Sequence, residues 1–142
     1  MKFIVNVLLW GTIVGIIHFI VIGILYQNPF VAKLYKNSST DPSLRSWDSQ
    51  IHYTIAMFLG TQIEVYILSA GYFLVTGLIN ITLPVSLIIA TVFTGVRVYP
   101  RFWNMWIQTN YPRKLLAIEI INGCISTFVI ILCLYFFTKI GN

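Results

Sequence analysis

Charge is what this sequence lacks. Of 142 residues only 9% are charged, 58% are hydrophobic, and the acidic side chains number four. A water-soluble domain of this length carries about a quarter charged residues to cover its surface, so a soluble globular fold is excluded. Cysteine is scarce as well: Cys124 and Cys133 are the two. On one helix their spacing corresponds to about 13 Å of rise, too far for a disulfide. No CxxC or Cys/His pattern points to a metal, and both are read as small apolar packing residues. Histidine is limited to His18 and His52. They fall at different levels of their spans, which argues against a haem held between them. With no metal, nucleotide or catalytic signature, no cofactor is expected.

What is present is apolar length. Runs of about 20 apolar residues are long enough to cross a bilayer. They predict spans over 3–26, 51–79, 83–99 and 115–137, an all-α integral membrane four-helix bundle that makes residues 1–142 one transmembrane domain. The first run is too long for a signal peptide and has no A-x-A cleavage site, so it is read as a retained helix. Between spans one and two, Asn28-Pro29 ends the first helix. Phe30, Val31, Leu34 and Tyr35 then alternate with Lys33 and Lys36, as in a short helix lying in the interface over 29–36. Ser38 to Pro42 reads as a turn, and Trp47 as an interface anchor. Between spans three and four, residues 100–113 combine Arg101 and Arg113 with Trp103, Trp106 and Tyr111. That is the composition of a headgroup-layer segment. A nucleic-acid stacking surface has similar residues, but a position between two spans speaks against it, and no nucleic-acid partner is expected.

The polar residues inside the spans carry the functional signal. Glu64 lies well within the second span, where a central charge costs roughly 2.5–3.5 kcal/mol, so it should face a bundle interior, a partner or water. Ala56, Gly60 and Glu64 share one helical face, which places the carboxylate on a small-residue stripe of the kind used for helix contacts. Gly11 and Gly15 form a GxxxG pair, and His18 follows on the same face. Ser86, Ala90 and Thr94 line a stripe that Arg97 continues. Arg97 either snorkels to the interface or pairs with Glu64, and the sequence weighs these equally. Glu119, Asn122, Gly123 and Ser126 make one polar, small face of the fourth span. His18, Glu64, Arg97, Glu119 and Asn122 are therefore the candidate buried polar cluster. Counted from the outer ends, His18, Glu64 and Arg97 each lie about 22 Å deep, with Glu119 near the boundary.

Seven of the nine basic residues fall in or beside the two long connections: Lys33, Lys36, Arg45, Arg97, Arg101, Arg113 and Lys114. The positive-inside rule then predicts cytoplasmic connections and external termini in a cell membrane, with a bacterial inner membrane the expected setting. The same residues are expected to meet anionic lipid headgroups. The halves also echo each other. Tyr26-Gln27-Asn28-Pro29-Phe30 parallels Tyr99-Pro100-Arg101-Phe102, and Ile63-Glu64-Val65 parallels Ile118-Glu119-Ile120, as in two repeated helix pairs. Gly23-Ile24-Leu25-Tyr26-Gln27-Asn28-Pro29-Phe30, with Tyr35 beyond it, resembles a bacterial family of small four-helix membrane proteins built on a domain of unknown function. That family tends to have Trp where this chain has Leu25. The resemblance implies four helices and transfers no site.

Three functions are expected from these features. The first is a proton-linked, transporter-like protein, acting as a homo-oligomer because a bundle this short does not enclose a pathway alone. The second is a structural or assembly subunit among other membrane subunits. The third is a membrane enzyme acting on a lipid or hydrophobic thiol. Small four-span glutathione-dependent enzymes have this size, but no nucleophile–base pair is spaced for that chemistry here.

Overall fold

A computed structural model of the chain describes residues 2–44 and 47–140. Among them are five helices: α1 (Lys2–Gln27), α2 (Pro29–Asn37), α3 (Gln50–Thr76), α4 (Leu83–Gln108) and α5 (Arg113–Ile140). Four of these are long and apolar enough to cross a membrane, each 26 to 28 residues. At 1.5 Å per residue they reach about 40 Å, more than the roughly 30 Å hydrocarbon core. The all-α four-helix bundle follows. Arg45, one of the seven basic residues counted above, lies outside the described residues.

Local chemistry sets the helix ends. Asn28 caps α2 by accepting from the Phe30 amide at 3.0 Å, with Pro29 in the first turn, where its missing N–H costs nothing. α2 buries no residue. Ser49 caps α3 by accepting from the His52 amide. α3 ends at Thr76 rather than near Ile79, and Gly77 to Thr82 form the connection to α4. The third span does not stop at Tyr99. α4 runs through Pro100 to Gln108, so most of the 100–113 segment is helix rather than a separate element. Pro100 removes one rung of the hydrogen-bond ladder, the one to the Val96 carbonyl, without ending the helix.

α5 is central: it packs on α1, α2, α3 and α4 and buries more of its residues than any other described helix. α1 packs mainly on α3, and α4 mainly on α5. The GxxxG face explains the first pairing. A Cβ on Gly11 would sit 2.7 Å from a Tyr66 ring carbon, and one on Gly15 would run into the Gln62 side-chain amide. Gln62 uses this closeness to donate from Nε2 to the Gly11 carbonyl at 3.0 Å. In lipid, such close backbone approach and interhelical bonding replace the hydrophobic drive of a soluble core.

α3 and α4 follow each other in sequence yet share almost no packed surface. Near their connection Phe93 closes against Gly71. Toward the other end they part, leaving a seam. The middle of the bundle is sealed by Val14, Val65, Ala90, Ile130 and Ile131, all fully buried.

Candidate functional site

The seam opens a cavity of about 360 Å³ near the end that carries α2 and both long connections. All four spans line it. α1 supplies His18, Ile22 and Tyr26; α3 supplies Ala56, Met57, Gly60, Thr61 and Glu64; α4 supplies Arg97, Val98, Arg101 and Phe102; α5 supplies Glu119, Asn122, Gly123 and Ser126. The five candidate cluster residues therefore share one cavity. The helical periodicity of 119, 122, 123 and 126 put these residues on one face, and that face is a cavity wall.

Arg97 pairs with Glu64. Its Nε donates to Glu64 Oε1 and its Nη2 donates to Oε2 at 2.6 Å, a two-pronged guanidinium–carboxylate contact across the seam. Nη1 is also used. Nη1 donates to Ser126 Oγ at 2.9 Å and to Thr127 Oγ1 at 2.8 Å, and more distantly to the Gly123 carbonyl at 3.4 Å. The pair is 20% and 32% exposed, since it forms part of the cavity wall. Of the two possibilities for Arg97, pairing is the one the fold adopts.

His18 is completely buried, and its Nε2 lies 2.5 Å from Ser126 Oγ. Ser126 also accepts from Arg97, which ties the imidazole to the ion pair through one hydroxyl. Nδ1 has no hydrogen-bond partner among the described residues. Asn122 is 6% exposed, with the Tyr26 hydroxyl beside its amide.

Glu119 takes a different partner from Glu64. The Tyr35 hydroxyl donates to its Oε1, reaching in from α2. Burial, then the bond to the Glu119 carboxylate, raises the Tyr35 phenol well above its ordinary value. Tyr111, in the connection before α5, is raised by burial and by the same carboxylate. Sequence reasoning placed Tyr35 only in the interfacial helix and missed this role. The signal is thin, since the two residues are 84 positions apart.

One expectation needs correction. Ala56 and Gly60 do share the face of Glu64, but no described helix packs on Ala56 or Gly60. Both are exposed, and a Cβ on Gly60 would meet nothing within 4 Å. The stripe keeps the seam open instead of closing it.

A second polar cavity, about 540 Å³, lies at the opposite end, lined by Asn6, Tyr72, Thr76, Thr138 and Lys139 among others. The dry layer around Val14 and Val65 stands between the two cavities. No family model, curated protein or solved structure matches this chain, so the resemblance of residues 23–30 finds no support beyond those residues.

Proposed function

We propose that this chain is a small multi-pass membrane protein that acts as a proton-linked, transporter-like device, with Glu64 as the protonatable group and Arg97 as the charge it answers to. One observation carries the reading: a charged pair bridges the loosely packed seam between α3 and α4, inside a cavity that all four spans line. Ionisable groups at membrane depth mark solute and proton pathways more often than they serve packing. A polar cavity at each end with an apolar layer between them supports the same reading. One bundle does not enclose a pathway by itself, so the working unit is a homo-oligomer.

Orientation belongs to the proposal. Lys33, Lys36, Arg101, Arg113 and Lys114 are exposed at the cavity end, which supports a cytoplasmic setting for that end with the termini outside. The same end carries Tyr99, Trp103 and Trp106, each more than half exposed, as an aromatic girdle among anionic lipid headgroups. The test is proton-coupled flux in vesicles reconstituted with the wild type and with Glu64→Gln. Loss of coupling in the variant supports the reading; unchanged coupling ends it.

A second reading is favoured by Gly60 on α3 and Gly95 on α4, where a Cβ would meet open space. Such positions suit the helix of another membrane subunit. A stable heteromeric partner retained in mild detergent would support an assembly role; a clean homo-oligomer would count against it.

A further inference from the structure

We propose that the seam cavity binds an amphipathic monocarboxylate together with one proton. The proton goes onto Glu64, and the ligand's carboxylate takes the place of Glu64 on the Arg97 guanidinium. The inference rests on the reading above in taking Glu64 as the protonatable group, but binding does not require transport.

Four observations converge. Arg97 already holds a carboxylate by two parallel contacts, so its seat has the shape of that group. Two further polar groups, the His18 imidazole and the Asn122 amide, line the same cavity and are at least nine-tenths buried, and His18 Nδ1 has no hydrogen-bond partner among the described residues. Unpartnered buried polar atoms are rare and call for a group that the protein itself does not supply. The groups facing Glu64 are Arg97 and Arg101 from α4, His18 and Tyr26 from α1, and Glu119 from α5, itself bonded to Tyr35 of α2. Counting formal charges, two guanidinium groups balance two carboxylates. An anion entering alone breaks that balance in a low-dielectric site; an anion entering with a proton keeps it.

Size and walls set the rest of the ligand. The volume of about 360 Å³ falls at the small-molecule end of ligand pockets, roughly 300–1,000 Å³. Ile22, Met57, Val98 and Phe102 give it apolar walls, and the seam between α3 and α4 opens sideways, toward the hydrocarbon of a surrounding bilayer. A chain or ring attached to the carboxylate fits that exit.

Octanoate is the probe. Calorimetric titration of the purified protein in mild detergent, run in two buffers of different ionisation enthalpy, reads affinity and proton uptake together, with empty micelles as the blank. The expected result is saturable binding with uptake of about one proton, and about tenfold weaker binding of uncharged octanamide, the loss of one charge-assisted contact. Glu64→Gln should bind octanoate with no proton uptake. Absence of saturable binding, a proton count near zero in the wild type, or equal binding of octanamide would each overturn the proposal. So would a tightly held phospholipid, seen by native mass spectrometry, that octanoate does not displace. If Glu64→Gln does not fold, the wild-type proton count and the octanamide comparison decide alone. Binding with proton uptake but no vesicle flux sinks the transporter reading and leaves this site. Proton-linked flux without octanoate binding sinks only the ligand assignment.

Discussion

Arg97 and Glu64 sit 33 positions apart on helices that barely touch, and their side chains form the main link across the gap. A salt bridge on a protein surface is worth little, but one partly withdrawn from water leaves a costly orphan when either partner is removed. Glu64→Gln and Arg97→Gln should each destabilise the protein by about 1–3 kcal/mol, discounted for the exposure of the cavity wall. The double variant should lose less than the sum, by about 1 kcal/mol or more. Thermal unfolding in mild detergent measures all three; strict additivity would mean that the two residues act independently.

Two glycines should respond in opposite directions. Gly15→Ala drives a methyl group into Gln62 and breaks its bond to the Gly11 carbonyl, at a cost of about 1–2 kcal/mol. Gly60→Ala meets open space and gains helix propensity, stabilising by roughly 0.5–1 kcal/mol. The same unfolding assay reads both. Equal effects would show that α1 does not close on α3 through Gln62.

Tyr35 is expected to tie α2 to the bundle through Glu119. Tyr35→Phe removes that bond, and trypsin cleavage at Lys33 and Lys36 should rise about fivefold, the equivalent of about 1 kcal/mol for a half-exposed contact to a charged group. The pH dependence has a definite sign. The folded phenol holds its proton more tightly than the unfolded one, so its contribution is complete below about pH 10 and fades above it. Cleavage of the wild type should therefore increase on going from pH 9 to pH 11, corrected for the protease's own pH profile, while the Phe variant stays level.

The topology is testable by labelling. With Cys124 and Cys133 replaced by Ala, a cysteine at Asn80 should react with an impermeant maleimide from outside intact cells. A cysteine at Ser39 should react only after the membrane is opened. The reverse pattern would invert the orientation drawn from the basic residues.

The spans were legible because hydrocarbon demands long apolar runs with backbone bonds satisfied inside each segment. Periodicity also found the polar face of α5 and the GxxxG contact. It failed where two outcomes share one pattern. A stripe such as Ala56 and Gly60 looks the same whether a helix packs on it or nothing does. Arg97 has a stem long enough for the interface and a head suited to Glu64, and only the tertiary arrangement chooses. Pro100 read as a boundary because a proline disfavours the helical conformation before it, yet flanking packing against α5 carries α4 past it. Tyr35 was hidden by distance in sequence, since nothing in α2 names an acceptor on the last span.

Pro100 has a mechanical consequence. Its lost rung lies beside Arg97, so the α4 ladder is one bond short at the level of the ion pair. Val98 and Phe102, buried with Leu116 of α5 on either side of the proline, hold the stretch bearing Arg101, Trp103 and Trp106 in line with the rest of α4. The helix thus trades one internal bond for side-chain anchorage next to its most sensitive electrostatic contact, and trimming Phe102 would be felt first at the guanidinium and not in the insulated middle.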